Sequence, residues 1–294
     1  MHILQSIRSY AKKNLFIRRL IGYHLASSGL FDGVIRNYKL SESTQKRIAN
    51  VLDAEDNRYI PRVANAGVIK GGKQIMHNGL KIHLASYYGP ELARMLLLSK
   101  GVHEPQEERV FGEAIKTLPP GATMIEMGAF WSFYSMWFNQ HVREARNFMI
   151  EPDAFNMGQG KRNFKLNRMK GVFVQAFVGE QSKAELPVPT LAIDDFVREQ
   201  SLPFIHMLHS DIQGFEYAML KGAANTFAER KIGYTFISTH SNEIHNACLD
   251  FLKEHDFIIL ASADPDHSCA EDGLIAARAP WFPGIDPIRI SLRK

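Results

Sequence analysis

Short apolar runs and longer amphipathic segments alternate along the chain from residue 123 to residue 278. The runs predict strands at 123–127, 146–150, 171–178, 203–210, 232–238, 256–262 and 273–278, and the segments predict helices at 132–142, 155–167, 191–199, 214–228 and 242–254. Strand then helix, repeated five times with short connections, predicts a mostly parallel sheet with helices on both faces. The last two strands are separated only by a loop at 262–272, so they could form an antiparallel pair at the end of the sheet.

The preceding part of the chain does not follow this alternation. Its predicted elements are a helical segment at 1–40, a helix at 41–52, a hairpin at 68–82, a helix at 90–98 and a helix at 103–118. The hairpin is predicted by Asn78-Gly79, a strong turn signal between apolar segments. We therefore divide the chain into a helical or mixed N-terminal region, 1–102, and a main domain, 103–294. The N-terminal region is expected to cover a ligand site or to contact a second subunit.

The composition is that of an ordinary globular protein, with 45% hydrophobic and 22% charged residues in a chain of 294. No apolar run approaches the roughly 20 residues that are needed to span a bilayer. The two cysteines, Cys248 and Cys269, form neither a metal-type pair nor a disulfide framework. This suits a reducing compartment better than secretion, so we expect a cytoplasmic protein without a cleaved signal peptide.

Positive charge is concentrated at the start of the chain, although the net charge is only +4. Apolar residues recur there at roughly helical spacing, and five basic residues precede the first acid: Arg8, Lys12, Lys13, Arg18 and Arg19. Such a helix can lie on an anionic membrane surface, here the inner one, or dock on the main domain or on a second copy of the chain. Nucleic-acid binding is not expected, because no stacking aromatics are interleaved with these charges.

A glycine turn joins the first strand of the alternating region to the helix that follows. In open α/β sheets this junction builds a ligand crevice at the carboxyl ends of the strands. A dinucleotide would need G-x-G-x-x-G for its pyrophosphate, but only Gly128 is present, and Phe130 and Trp131 crowd the phosphate position. A ligand without phosphate, S-adenosylmethionine, escapes this objection. Glu126 could face the positive end of that ligand.

A carboxylate closes the second strand of this region. Glu151 lies 23 residues after Gly128 and directly before Pro152. A carboxylate at this point can accept hydrogen bonds from both hydroxyls of a ribose. The alternative is a surface glutamate that ends a strand.

Histidines and an aspartate stand at the ends of the fourth and fifth strands, facing the same crevice. Asp211 could bind a metal, orient an acceptor, contact the amino group of the cofactor, or cap the following helix. His209 could be a general base, with an ordinary pKa of ~6.5, or a packed strand histidine. His240 ends the fifth strand. Together with His245 these side chains could hold a divalent metal, although no compact motif is present.

At these positions the chain resembles the FkbM-type S-adenosylmethionine-dependent methyltransferases, over roughly residues 103–280. Three family patterns have counterparts in the right order and at the right spacing. The first, D-x-G-A-N-x-G-Y-Y-S, corresponds to residues 126–135. The second, E-P-D followed by spaced asparagines, corresponds to residues 151–153 with Asn163 and Asn167. The third consists of L-D-D at 193–195, K-I-D-V-E-G-A-E at 209–216 and L-K-G-A at 220–223. Residues 103–105 are similar to the acidic helix start that often precedes the first pattern.

The resemblance implies an α/β fold with a Rossmann-like class I methyltransferase sheet, mostly parallel and seven-stranded with the last strand antiparallel. It implies that residues 103–294 bind S-adenosyl-L-methionine. The implied cofactor residues are Glu104, Glu126, Gly128, Ala129, Phe130, Ser132, Glu151, Pro152, Gln175 and Asp211, and the catalytic candidates are His209, Asp211 and His240. Ser132 departs from the pattern, because it replaces the second glycine. If that position needs a positive φ, a serine there costs free energy.

The implied reaction is transfer of a methyl group from sulfonium to an acceptor hydroxyl of a sugar, a glycan or another natural product. It requires that acceptor and methyl be held in line and that a base remove the hydroxyl proton. The stretch 87–89 and the predicted hairpin are expected to help cover the site and select the acceptor. Two alternatives remain: a nicotinamide-dependent oxidoreductase, and a non-catalytic relative that binds a glycan or a partner enzyme. The single glycine argues against the first, and the atypical Phe130 and Ser132 are compatible with the second.

Overall fold

The computed structural model describes residues 28–184 and 187–293, so the basic amphipathic helix predicted near the start falls outside the described residues. The first described elements are helices α1 (Asp32–Arg36), α2 (Glu42–Asp53) and α3 (Pro90–Leu98), and strands β1 (Ile69–Lys70), β2 (Lys73–Ile75) and β3 (Lys81–His83). Helix α2 begins where the side chain of Ser41 accepts a hydrogen bond from the backbone N–H of Thr44. The predicted hairpin is confirmed as the antiparallel pair β2–β3, and β1 extends it to three strands.

The alternating region follows the predicted order. Its elements are α4 (Pro105–Ala114), β4 (Thr123–Met127), α5 (Phe133–His141), β5 (Arg146–Ile150), α6 (Ala154–Leu166), β6 (Val172–Val174), β7 (Phe177–Val178), β8 (Thr190–Leu191), α7 (Ile193–Glu199), β9 (Ile205–Ser210), α8 (Glu216–Lys221), α9 (Ala224–Ala228), β10 (Ile232–Thr239), α10 (Asn242–Glu254), β11 (Ile258–Ala263) and β12 (Gly273–Arg278). Each strand that enters the central sheet is thus found where an apolar run predicted it.

Within the described residues, seven strands form one sheet in the order β11-β12-β10-β9-β4-β5-β6. Strand β12 lies between β10 and β11 and is antiparallel to both, whereas the remaining neighbours are parallel. The predicted α/β class and the mostly parallel, seven-stranded sheet are therefore confirmed. The chain runs outward from β4 through β5 to β6 and then returns to β9 on the other side. Such a reversal of strand order opens a crevice at the carboxyl ends of β4 and β9.

Two predicted elements are divided in the structure. The strand predicted at 171–178 is split into β6 and β7, and β7 pairs with β8 outside the main sheet. The helix predicted at 214–228 is split at Gly222, where a Cβ atom would lie 2.3 Å from the carbonyl oxygen of Gly179. Glycine therefore lets the β7 segment pack directly against the helical layer. Helix α8 begins only at Glu216, because Gln213 and Gly214 have positive φ angles of 57° and 99°.

One hydrophobic core joins the N-terminal elements to the sheet. It includes Met76 and Met95 from the first region and Phe111 and Met124 from the second, all of which are buried. The boundary at residue 103 remains a prediction. Across the described part of the chain, no helix combines the length and the apolar character needed to cross a membrane.

Candidate active site

A cavity of about 790 Å³ lies at the carboxyl ends of the strands, where the strand order reverses. Its walls include Gly128 after β4, Pro152 after β5, residues 176–179 around β7, and Asp211 after β9. This volume is within the range of small-molecule and cofactor sites. Three of the predicted cofactor residues therefore line one cavity.

Gly128 is required by the neighbouring backbone. Its φ is 71°, and an added Cβ atom would lie 1.7 Å from the carbonyl oxygen of Asp211. The backbone N–H of Asp211 donates to the carbonyl of Met127 at 3.0 Å, so the two strand ends are held together. The sequence predicted a glycine for close approach of the ligand. The structure adds that this glycine brings Asp211 to the cavity.

The turn after Gly128 has a strained backbone. Phe130 and Ser132 have φ angles of 38° and 60°, in a region that disfavours residues with a Cβ atom. Ser132 is fully buried, and its hydroxyl has no hydrogen-bond partner among the described residues. Position 132 therefore has the positive φ at which a serine was expected to cost free energy. A Cβ atom on Gly160 of α6 would lie 2.3 Å from Ser132 Oγ, so that glycine makes room for the serine.

Glu151 fastens this turn to the end of β5. Its two carboxylate oxygens accept hydrogen bonds from the backbone N–H of Phe130 at 3.0 Å and of Asp153 at 2.9 Å. Burial raises the pKa of Glu151. The carboxylate stands between the Gly128 turn and Pro152, the position at which a ribose would be bound. Gln175 lies exposed at the rim, where its amide donates to the carbonyl of Pro152 at 3.1 Å.

Two exposed aromatic rings on the cavity were not predicted from the sequence. Phe177 and Phe215 line it and remain 49% and 60% exposed. Ligand pockets are lined predominantly by apolar and aromatic side chains with a few polar groups. A base could lie on these rings, a ribose could donate to Glu151 and an amino group to Asp211, so these side chains suit S-adenosylmethionine.

Four other predicted residues lie beneath the crevice or at its edge. Ala129 is buried in the turn, and Phe130 is half-buried with its ring 4.8 Å from that of Tyr88. Glu126 is buried, its carboxylate accepts from the backbone N–H of Ser135 at 3.2 Å, and burial raises its pKa to about 7. His209 is 3% exposed, and its Nε2 lies 2.7 Å from Glu107 Oε1. Of the two roles considered for His209, this geometry matches that of a packed strand histidine.

Glu104 is held as a carboxylate by buried partners. His103 Nε2 lies 3.2 Å from its Oε2, and the hydroxyl of Tyr134 donates to the same oxygen at 2.8 Å. Burial alone would raise the pKa of Glu104, but His103 and Tyr134 lower it to about 2. Burial likewise disfavours a charged His103, yet Glu104 and Glu108 raise its pKa to about 10. Glu104 therefore places a permanent negative charge near Asp211, whose pKa it helps to raise.

Asp211, His240 and Asp272 converge at the crevice, and we call them the Asp–His–Asp group. His240 Nε2 lies 3.4 Å from Asp211 Oδ1 and 3.3 Å from Asp272 Oδ1, while its Nδ1 lies 2.9 Å from Glu216 Oε1. Burial and the neighbouring carboxylates raise the pKa of Asp211 to about 7 and that of Asp272 to about 6. Burial opposes a charged His240, but Glu216 and then Asp272 raise its pKa to about 9. Asp211 follows β9 and lines the cavity, and His240 follows β10 beside it. Their roles remain predictions.

The four-residue metal cluster considered from the sequence is not formed. His245 Nδ1 and Nε2 lie against hydroxyls of Thr239 and Ser262 at 2.8 and 3.0 Å, and His209 faces Glu107. Asp272 takes the third position instead. It was missed because it precedes a strand. Since β12 is antiparallel, its beginning lies at the edge where the parallel strands end.

Residues of the N-terminal region lie close enough to the Asp–His–Asp group to interact with its charges. The buried Arg47 donates to the hydroxyl of Tyr87 at 2.6 Å and pairs with Glu271 at 2.7 Å. Tyr88 is 58% exposed, and its partial burial, together with the charges of Asp211 and Asp272, raises its pKa. The stretch 87–89 thus lies near Asp211 and Asp272, and its expected role as a cover remains a prediction.

The spaced asparagines of the family pattern attach strand β3 to helix α6. Asn163 Oδ1 accepts from the backbone N–H of His83 at 3.0 Å, and its amide donates to the carbonyl of Trp131 at 3.1 Å. Asn167 binds the backbone N–H and carbonyl of Lys81 at 3.0 and 2.7 Å. Both side chains therefore fix strand β3, and through it the segment that leads to Tyr88.

A family model described as the methyltransferase FkbM domain matches residues 159–259, about a third of the chain, from α6 to β11. This stretch contains Asp211, Glu216 and His240. No curated protein matches the chain.

Similar solved structures include M. capricolum TrmK in complex with S-adenosyl-homocysteine (11% identity, TM-score 0.42, covering 59% of this chain and 69% of that chain). They also include precorrin-6y C5,15-methyltransferase from Geobacter metallireducens GS-15 (16%, 0.41, 60% and 89%). A third is a ribosomal protein L11 methylase from Lactobacillus delbrueckii subsp. bulgaricus (10%, 0.42, 60% and 80%). The fold of this chain therefore follows from its own strand order and not from these similarities.

Proposed function

We propose that this chain, an S-adenosylmethionine-dependent methyltransferase with an FkbM methyltransferase domain, acts on a hydroxyl oxygen of a sugar, a glycan or another natural product. The alternative of a nicotinamide-dependent oxidoreductase is set aside, because the matched domain is that of a methyltransferase. A non-catalytic relative of that family is distinguished by its failure to transfer a methyl group. When bound, the cofactor supplies a methyl group on a positively charged sulfur.

The cofactor would be held in the cavity and by Glu151 beside it. Glu151 would accept hydrogen bonds from the ribose hydroxyls with the lone pairs that the backbone N–H groups of Phe130 and Asp153 leave free. Phe177 and Phe215, which line the cavity, would contact the base. Asp211, which also lines it, would bind the amino group of the methionine part or orient the acceptor.

The Asp–His–Asp group is the observation that supports a hydroxyl acceptor. A hydroxyl oxygen gains a bond to carbon only as it loses its proton, so a proton acceptor must lie beside it. Glu216 fixes the orientation of the His240 ring through Nδ1, which turns Nε2 toward Asp211 and Asp272. Carboxylate and imidazole therefore lie together at the open side of the crevice, next to the cofactor cavity.

Tyr88 is proposed to select the acceptor. Its ring is exposed and contacts Phe130, and the side chain lies near enough to Asp211 and Asp272 for their charges to raise its pKa. An exposed aromatic face binds the apolar side of a sugar ring or a polyketide, while the carboxylates bind hydroxyls. We therefore expect Tyr88→Ala to raise the KM for the acceptor about tenfold, a loss of about 1.4 kcal/mol, with the Kd for S-adenosylhomocysteine unchanged. Tyr59→Ala is the matched control, because Tyr59 is 59% exposed and contacts Arg109 instead.

The acceptor can be found by mass spectrometry of glycans and small molecules from cells with and without the gene. The compound that loses one methyl group is then incubated with the purified protein and S-adenosylmethionine carrying a deuterated methyl. We expect one deuterated methyl in the product, on a hydroxyl oxygen. Transfer to nitrogen or carbon alone, or an equal effect of Tyr59→Ala and Tyr88→Ala on KM, would contradict the proposal.

A further inference from the structure

We propose that the Asp–His–Asp group binds a divalent cation of the Mg²⁺ or Mn²⁺ class through Asp211, His240 and Asp272. The binding itself does not depend on the proposed acceptor. Only the role of the cation rests on the proposed function. It would bind the acceptor hydroxyl beside the cofactor and lower the pKa of that hydroxyl. The proton would pass to the carboxylate oxygen of Asp211 or Asp272 that is not bound to the cation.

The spacing of the three side chains fits one ion. One oxygen or nitrogen from each lies within 4.8 Å of the other two. Ligands of Mg²⁺ lie about 2.1 Å from the metal, so adjacent ligands of an octahedral ion are about 3 Å apart and opposite ones about 4 Å. His240 Nε2 is 3.4 Å from Asp211 Oδ1 and 3.3 Å from Asp272 Oδ1. Small rotations of these side chains would bring all three to an ion.

The histidine has the outer-shell partner that metal-binding histidines have. Such a histidine nearly always donates its second ring N–H to a carboxylate or a carbonyl, which leaves the other nitrogen free for the metal. Glu216 provides this carboxylate at 2.9 Å from Nδ1. Glu216 is fully buried, accepts from the backbone N–H of Ile212 and Gly214, and has a second oxygen, Oε2, without a hydrogen-bond partner in the described residues. It is therefore a fixed support for the imidazole.

The charge around the group favours a cation. The negative charge of Glu104 adds to the charges of Asp211 and Asp272 and makes the electrostatic potential there more negative. The guanidinium of Arg47 opposes this with a positive charge that acts on Asp272, but it is paired with Glu271 and bonded to Tyr87. Within the described residues, His240 is the one polar side chain in contact with the carboxylate of Asp272.

The side chain of Gln213 completes the donor set. Its amide nitrogen lies 2.8 Å from His240 Nε2 and 3.1 Å from Asp211 Oδ1. Turning the amide by 180° would present its oxygen, which is also a ligand for Mg²⁺ and Mn²⁺. Two carboxylates, one imidazole and one amide oxygen leave two octahedral positions for water or for an acceptor hydroxyl.

Mn²⁺ binding to the full chain is measured by electron paramagnetic resonance and calorimetry, without cofactor or acceptor. One site is expected, and both Asp272→Asn and His240→Gln are expected to weaken it at least tenfold. Asp264→Asn is the matched control, because Asp264 and His267 form an exposed pair at 2.7 Å without a third ligand. Circular dichroism shows whether each variant is folded.

The proposal is overturned if the folded wild-type chain binds no Mn²⁺, or if Asp264→Asn and Asp272→Asn bind it equally well. A variant that fails to fold is replaced by Asp211→Asn, for which the same loss is expected. Because no methyl transfer is involved, a failure of this test leaves the proposed hydroxyl methylation standing. Mn²⁺ binding without any methyl transfer would instead contradict only the proposed reaction.

Discussion

Replacing Ser132 by glycine should stabilise the protein, although it removes a buried side chain. The φ angle of 60° at Ser132 costs a residue with a Cβ atom about 1–2 kcal/mol. Its buried hydroxyl, unpaired among the described residues, adds a cost of about 1–3 kcal/mol. Against this, glycine loses about 1 kcal/mol more conformational entropy on folding, and the space beside Gly160 is left unfilled. We expect Ser132→Gly to gain about 1–2 kcal/mol.

Ser132→Ala separates the two contributions. Alanine removes the hydroxyl but keeps the Cβ atom, so the backbone strain remains. We therefore expect Ser132→Gly to be more stable than Ser132→Ala, and Ser132→Ala to be more stable than the wild type. For a chain of this size about 1 kcal/mol corresponds to roughly 2–4 °C in Tm, so Ser132→Gly should raise Tm by several degrees in scanning calorimetry. A Tm below that of the wild type for Ser132→Gly would refute this argument.

Three further predictions concern the same crevice. Burial raises the pKa of Glu126 in the folded state from the usual 4.5 to about 7, so the wild type should lose stability as pH rises through this window, by up to about 3 kcal/mol. Glu126→Gln should remove that dependence when Tm is measured between pH 5 and 8. An equal change of Tm with pH in the wild type and the variant would contradict the prediction. Gly128→Ala places a Cβ atom 1.7 Å from a carbonyl oxygen, so it should lower the free energy of unfolding by about 3 kcal/mol or more. Gly158→Ala, with open space in α6, should raise it by up to about 1 kcal/mol. Urea unfolding measures both. Glu151→Gln should raise the Kd for S-adenosylhomocysteine about tenfold, as expected for losing a charged hydrogen bond, while the distant Glu199→Gln should leave it unchanged in calorimetric titration.

Local sequence patterns were sufficient to predict the strands of the sheet and most of the helices between them. Strands β4 and β5 and helix α10 begin and end at the predicted residues, because apolar runs and capping side chains act over a few positions. The breaks at Gly222 and between β6 and β7 depend on a distant backbone instead. A side chain at position 222 would collide with the backbone of Gly179 and Glu180, so the need for glycine there comes from a distant part of the chain.

The candidate site was only partly accessible to the same reasoning. Asp211 and His240 were found because they end parallel strands. Asp272 depends on the antiparallel insertion of β12, and Tyr88 is brought in by a region that has no motif of its own. His209 has a crevice-facing position in sequence, but its partner Glu107 comes from α4, 102 residues away. Pairing across such distances cannot be inferred from one strand.

Carbon-13 NMR of the reaction product tests the proposed methyl transfer to oxygen most directly. The purified protein is incubated with S-adenosylmethionine labelled with carbon-13 at the methyl group and with the acceptor found in cells. We predict one labelled signal, in the region of methyl groups bound to oxygen, and none with Gly128→Ala, whose crevice is disrupted. A labelled signal in the region of methyl groups bound to nitrogen or carbon would contradict the account.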